Sequence, residues 1–550
     1  MGSLLLTIHK KRRSLNIWAL HILLIVFFIA TPILTIFLNV FKGKGEYWDH
    51  IYENLLLDYV SNTVILLIGA IVITVVVGVA GAWVISTCEF PGRKFFSWAL
   101  ILPLSIPTYI MAYVYAGLLD YSGPIQSFFR NSLTIELHRG ILDIMNIWGA
   151  IFVMAMVLYP YVYISTRASF QNRSRSLIEA SRVLGGSMKR TFFKVALPLS
   201  RPAIIAGLSL VVMEVLNDYG AVKYYGVPTF TTGIFRAWFS LNDIQSSIFL
   251  SVILMCFVFG LILLERWQRG NRSYTNEKIE KPLPRFELSK GQRLMAFLVC
   301  LIPFMIGFVI PLLQLLYWAY QTAYKVIDME FFFLVFNSFK VAFVTALVST
   351  VIAIVLVYAV QLNRQKLFDF LSRISTLGYS MPGAIIALGI MIPMLFLDKN
   401  IGEYFVAFFG LNTQLFFTGT IIALIFAYVV RFLVVTYNPI EAGFKAKCKN
   451  VEEVSRSLGV SPLRTLLKIN LPLLKSAAFG GGLMVFVDVL KELPLTLILR
   501  PFNFHTLATK TYELASDELI PESASASIII ILTGLIPIFF LNRLITNSDQ

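Results

Sequence analysis

Glu179-Ala180-Ser181-Arg182-Val183-Leu184-Gly185, followed by Val195 and Leu197-Pro198, returns later in the chain as Glu453-Val454-Ser455-Arg456-Ser457-Leu458-Gly459, followed by Ile469 and Leu471-Pro472. Both copies have the form E-x5-G-x9-[VI]-x-L-P, and position 179 maps to position 453, an offset of 274. The register extends outward. Glu214 answers to Asp488 and Asp218 to Glu492 at the same offset, and Asn62 answers to Asn337 at 275. The chain is therefore a tandem repeat, and this stretch marks the same place in each half.

The repeats are embedded in apolar sequence. Of 550 residues, 57% are hydrophobic and 14% charged, against roughly 25% charged in soluble domains. Apolar runs of about 20 residues, each able to cross a hydrocarbon core as a helix, fall at 17–40, 61–86, 97–118, 146–166, 201–222 and 246–265, then at 293–318, 338–361, 375–397, 414–437, 474–490 and 524–542. Lipid offers backbone amides no other partner, so helices are expected. The fold class is an all-α polytopic membrane protein of about twelve transmembrane helices. Six helices per half give two parallel repeats rather than inverted ones.

The net charge of +15 is explained by topology. The His9–Arg13 cluster, Arg93-Lys94, the stretches 167–194, 266–293 and 445–475, Arg364, Lys366, Arg373 and Arg543 all fall on one side of the predicted spans. That side is the cytoplasm by the positive-inside rule, and both termini are expected there. No basic face with interleaved aromatics points to nucleic acid. The apolar run 17–40 exceeds the 7–15 residues of a signal-peptide core, so it reads as a first membrane helix. The organisation expected is 1–56, an N-terminal cytoplasmic segment and first helix; 57–266, a first repeat domain; 267–292, a Pro/Gly-containing charged linker; 293–333, a seventh helix and outer loop; 334–543, a second repeat domain; and 544–550, a cytoplasmic tail.

Within each copy of the opening motif, apolar residues recur at helical spacing. Gly185 and Gly459 interrupt them, which gives a short helix, a turn and a second short helix. Leu-Pro then leads toward the next membrane helix. A short amphipathic helix on the cytoplasmic side can lie on headgroups, pack on its own bundle or dock into another protein. Two copies in parallel repeats suit a two-fold symmetric partner.

Glu214 and Asp218, four residues apart, share a helix face, as do Asp488 and Glu492. Carboxylates in membrane helices are costly and mark pathways, and their hard oxygens suit hard cations. The competing expectation is structural, with these acids pairing with Lys491, Arg236 or Arg500, or capping helix ends. The four cysteines and five histidines show no ligand-like spacing, which excludes a self-contained zinc, haem or iron–sulfur site. No nucleophile–base arrangement suggests a membrane enzyme, so no catalytic residue is assigned. No G-x4-G-K-[ST] stretch is present to bind ATP. A gradient-driven carrier is compatible with parallel halves but has no need of two docking helices.

The repeated motif resembles the EAA loop of ABC importer permeases, although Val454-Ser455 stands where that family often has Ala-Ala. The resemblance implies a type I ABC importer permease fold in which Glu179, Ala180 and Gly185, with Glu453, Val454 and Gly459, form coupling helices docking on a separate ATPase dimer at the cytoplasmic face. It also implies that ATP and Mg stay on that partner and that this chain binds no cofactor. The segments Asp218–Gly233 and Lys491–Glu518 resemble fused, two-domain permeases of ferric-iron importers. This implies Fe3+ as substrate, delivered by a periplasmic or surface-anchored binding protein, in a bacterial cytoplasmic (inner) membrane. Related fused permeases carry thiamine, polyamines or phosphonates, which remain the alternatives. Glu214, Asp218, Asp488 and Glu492 become the candidate pathway, and any metal ligand is left unassigned.

Overall fold

The computed structural model describes residues 17–134, 142–172, 175–269, 285–363, 365–410, 415–418, 420–448, 451, 454–455 and 457–548. Among them, eleven helices are long and apolar enough to cross a membrane, and a bent pair supplies a twelfth. In chain order they are α1 (Ile17–Val40), α2 (Leu56–Thr87), α3 (Arg93–Ser105 with Thr108–Ser132), α4 (Ile147–Gln171), α5 (Met188–Asn217), α6 (Ile244–Glu265), α7 (Lys290–Val326), α8 (Met329–Asn363), α9 (Gly383–Gly402), α10 (Ile421–Lys447), α11 (Pro462–Lys491) and α12 (Ile520–Phe539). The chain is thus an all-helical, multi-pass membrane protein. Its one backbone pairing outside helices and turns, among the described residues, is an isolated bridge between Cys88 and Phe286.

Two predicted spans differ from continuous helices, and proline is the cause in both. α3 bends by 93°. Ile106, which precedes Pro107, is extended at φ −94° and ψ 116°, the geometry that the proline ring favours at the residue before it. In the second half Met381, before Pro382, is likewise extended at φ −97° and ψ 136°. The span expected at 375–397 therefore holds a single 3-10 turn, Leu377–Ser380, and begins as an α-helix only at Gly383. Elsewhere proline widens a helix without breaking it. π-helical turns at Phe192–Ala196, Met305–Val309 and Leu466–Asn470 precede Pro198, Pro311 and Pro472. Each ring removes an amide donor and crowds the carbonyl four residues back, and the wider turn relieves both. The second short helix of each repeated motif consequently runs on into α5 or α11 instead of ending before it.

The chain packs as two compact units, 1–44 with 332–509, and 45–331 with 510–550. The boundaries 57–266 and 334–543 follow the repeat in the sequence, whereas each unit draws on both halves. In the first unit α1 lies against α9, and α10 against α11. A stripe of Ile22, Ile29 and Ile36 is buried along α1, while Phe27, Phe28 and Phe37 face outward, as lipid contact requires. Gly389 of α9 lies so close to Pro32 that a Cβ would sit 2.4 Å from its carbonyl oxygen. In the second unit α4 packs on α2 and α5, and α12 packs on α7. Gly78 and Gly207 bring α2 and α5 against the α4 backbone, where an added Cβ would lie 2.9 and 2.8 Å from the Tyr159 and Tyr161 carbonyl oxygens. Small residues at such crossings let van der Waals packing hold membrane helices together.

Candidate functional site

The first motif copy is built on a helix, Arg175–Val183. It closes with Leu184 N–H donating to Ala180 O at 3.0 Å and Gly186 N–H to Ser181 O at 2.8 Å. Gly185 between them has φ +76°, the left-handed conformation that ends helices at little cost only for glycine. A Cβ at Gly185 would meet nothing within 4 Å, so conformation, not space, demands the glycine. Ser187 then opens the next turn, its hydroxyl accepting from Arg190 N–H. The hydroxyls of Ser181 and Thr191 pair at 2.9 Å, pinning the short helix to the foot of α5.

The second copy repeats the turn and the hydroxyl pair, whereas Ser461, at the place of Ser187, makes no side-chain cap. Leu458 N–H donates to Val454 O and Val460 N–H to Ser455 O, both at 3.1 Å. Gly459 has φ +76° with open space around it, and the Ser455 and Thr465 hydroxyls pair at 2.7 Å. Glu453 lies outside the described residues. Glu179 is half-buried and Ala180 exposed.

Each copy has an anchored face and a free one. Ile178, Thr191, Ser455 and Thr465 are buried. By contrast Val183 and Leu184 are 87% and 86% exposed, and Leu458 and Val454 76% and 58%. Apolar side chains held out on a turn by a hydrogen-bonded base suit a partner surface. The Ser–Thr pairs were missed in the sequence, although Ser181/Ser455 and Thr191/Thr465 share the offset of 274.

The carboxylates divide into two kinds. Asp218 ends α5 and caps the next helix, Gly220–Tyr224. Its Oδ1 accepts from Ala221 N–H at 3.0 Å and Val222 N–H at 3.2 Å, and its Oδ2 from the Thr108 hydroxyl. Glu492 does the same for Pro494–Leu499, accepting from Leu495 N–H and Thr496 N–H, each at 3.0 Å. It also pairs with Arg431 at 3.2 Å, the two side chains only 2% and 9% exposed. Gly383 makes room, since a Cβ there would fall 2.1 Å from Arg431 Nη1. The sequence expectation named Lys491, Arg236 and Arg500 as partners; the guanidinium at Glu492 is that of Arg431, a lone charge in the apolar run of α10. Glu214 and Asp488 are half-buried, one turn back along α5 and α11.

Among the described residues no three His, Cys, Asp or Glu side chains are grouped to hold a metal ion. Outside the spans, Asp243 precedes α6 and accepts from Tyr47 N–H and Ser246 N–H at 2.9 Å and from the Ser246 hydroxyl at 2.6 Å. Burial pushes its carboxyl pKa up, but these bonds outweigh burial and hold it below the ordinary aspartate value.

The profile of the family described as "Binding-protein-dependent transport system inner membrane component" matches residues 88–269 and 351–550, one copy in each half. An "Fe(3+)-transport system permease protein FbpB 2" of Haemophilus influenzae is 24% identical over 94% of this chain and 97% of its own length. A "Molybdate/tungstate transport system permease protein WtpB" of Pyrococcus abyssi is 26% identical over 45% of this chain and 92% of its own. A "Probable sulfate transport system permease protein cysT" of Nephroselmis olivacea is 31% identical over 27% of this chain and 49% of its own.

Proposed function

Because the chain belongs to the binding-protein-dependent transport system inner membrane components, we propose that it is the two-domain permease of an ATP-driven importer carrying ferric iron across a bacterial cytoplasmic membrane. The observation that carries the reading is the matched pair of glycine-ended turns presenting Val183-Leu184 and Val454 with Leu458. Each is the foothold for one subunit of an ATPase dimer, with Glu179 and Glu453 on the same short segments. ATP closes the dimer and draws the footholds together. The bundle then opens outward to take substrate from a binding protein on the far face. The termini and the footholds face the cytoplasm, where the basic loops lie. ATP and Mg are held by the partner.

Two observations support iron over an oxyanion. The relative aligned along nearly the whole chain transports Fe(3+), while the molybdate and sulfate permeases align with under half of it. A cavity of about 980 Å³ carries Asp120, Asp143 and Glu518 on its described wall and no lysine or arginine there. An oxyanion needs cationic or amide donors; carboxylates favour a cation. The test is uptake by proteoliposomes holding the permease with its ATPase and binding protein. ATP-dependent entry of radiolabelled ferric iron, but not sulfate or molybdate, is expected. Sulfate or molybdate uptake without iron uptake refutes the cargo, and uptake driven by an ion gradient without ATP refutes the pump.

A further inference from the structure

The second compact unit holds a group of phenols that the coupling scheme does not use. Tyr109 and Tyr113 stand four apart on the distal limb of α3, with ring centroids 5.9 Å apart. Tyr113 packs edge-on to Tyr224 at 4.6 Å. The hydroxyls of Tyr219 and Tyr512 meet at 3.5 Å. Tyr219 precedes and Tyr224 ends one short helix, Gly220–Tyr224, so a single element joins the two pairs. Tyr224 lines the acidic cavity of about 980 Å³, and Tyr219 lines a second cavity of about 550 Å³.

Packing alone does not account for the hydroxyls. Tyr113 is 1% exposed, and its hydroxyl has no hydrogen-bond partner among the described residues. An orphaned polar atom in a membrane interior costs stability that a phenylalanine would not. The repeat supplies an internal control. In the register that pairs Pro107 with Pro382, an offset of 275, Tyr109 and Tyr113 correspond to Ala384 and Leu388; in the register of the repeated motif, an offset of 274, Tyr219 and Tyr224 correspond to Leu493 and Ile498. All four counterparts are buried, so the second half builds the same elements from apolar side chains. The capping carboxylates differ in parallel. Glu492 is neutralised by Arg431, whereas Asp218 is met by a threonine hydroxyl. Only the first repeat combines phenols with a capping carboxylate whose side-chain and amide partners carry no positive charge.

We propose that Tyr113, Tyr219, Tyr224 and Tyr512 form a transient coordination site for a hard trivalent cation in transit, with the charge of Asp218 favouring its approach. Phenolate oxygen is a hard ligand, and metal binding displaces the proton from its ligand. Three phenols binding Fe3+ release three protons to the adjoining water and leave a neutral Fe(phenolate)3 unit. Iron is neither oxidised nor reduced. A neutral unit avoids the large penalty of placing a bare trivalent charge in a medium of low dielectric constant.

This inference rests on the ferric reading above, and the experiment separates the two. The full chain in lipid nanodiscs is titrated with ferric nitrilotriacetate, and the visible phenolate-to-iron charge-transfer band is recorded. Iron uptake is measured in parallel in the complete reconstituted importer. The wild type shows the band. Tyr113→Phe with Tyr512→Phe loses it and loses roughly tenfold or more in iron uptake, with an unchanged thermal unfolding midpoint. Tyr225→Phe, whose hydroxyl already donates to Ala112 O at 3.0 Å, keeps both. A band equally strong in the double variant means adventitious binding and overturns the proposal, as does unchanged uptake by that variant. Wild-type uptake of iron with no band sinks the coordination site and leaves the iron assignment standing. A wild type that imports no iron removes both.

Discussion

Replacing Gly185 and Gly459 by valine tests the footholds through their backbone. Both glycines hold φ +76°, and neither has an atom within 4 Å of the position a Cβ would take. The substitution therefore adds no clash with a neighbour, and its whole cost is conformational. Left-handed geometry costs an L-residue about 1–2 kcal/mol, and a β-branched residue lies at the upper end. The turn relaxes by giving up the bonds that follow from it, Gly186 N–H to Ser181 O in one copy and Val460 N–H to Ser455 O in the other. A cost of that size shifts the ratio of intact to unwound turn by a factor of about 5–30 at each foothold. The spanning helices are untouched, so the chain still inserts and purifies. In proteoliposomes with the ATPase partner, G185V/G459V loses most ATP-driven uptake, either by hydrolysing ATP unproductively or by failing to assemble. G185N/G459N retains most of it, because asparagine tolerates the left-handed region. Full uptake by the valine variant, or an equal loss with asparagine, would refute the reasoning.

Three further perturbations have defined outcomes. L184D/L458D places charge on side chains that are 86% and 76% exposed; folding is preserved while ATPase copurification is lost, as measured by size-exclusion chromatography. Arg431→Ala strands the buried Glu492 carboxylate and destabilises the chain by about 3–5 kcal/mol, whereas R431M/E492Q recovers much of it; thermal unfolding in detergent distinguishes them. Asp243→Asn removes charge-assisted bonds to Tyr47 and Ser246 and costs about 1–3 kcal/mol at neutral pH. The Asp243 carboxyl pKa is held low in the folded chain, so its contribution is complete above the unfolded aspartate pKa of about 3.9 and disappears as pH falls through the lower folded value. The wild-type advantage over the variant should therefore shrink on acidification below about pH 4, and a constant gap would contradict this.

Much of the fold was legible because lipid enforces a simple code. Apolar runs of spanning length fixed the helices, and the offset of 274 between Glu179 and Glu453 fixed the repeat. What escaped was anything that hydropathy averages away. Pro107 and Pro382 read as apolar residues within runs, yet each stops a helix one residue earlier by forcing its neighbour into extended geometry. The seating of α1 against α9 depends on the close approach of Gly389 to Pro32, which no local pattern announces. At the candidate site, the turns at Gly185 and Gly459 were readable because glycine has a local conformational reason to be there. The partner of Glu492 was not, since Arg431 stands 61 residues away in sequence and meets it only through the space that Gly383 leaves. The capping roles of Asp218 and Glu492 were foreseen only as the bland alternative, because a carboxylate just before a short helix has the same sequence signature whether it caps or guides an ion.

The central claim is that two equivalent turns face the cytoplasm and are covered by a motor subunit. L184C and L458C, introduced singly, report it most directly. Of the native cysteines, Cys88, Cys300 and Cys448 are buried and Cys256 is exposed, so both variants also carry Cys256→Ser. With a membrane-impermeant thiol reagent, each engineered cysteine should label in inside-out vesicles and not in right-side-out ones. Each should be protected to a similar extent when the ATPase is bound. Labelling from the outer face, or labelling that the ATPase leaves unchanged at either position, would contradict the account.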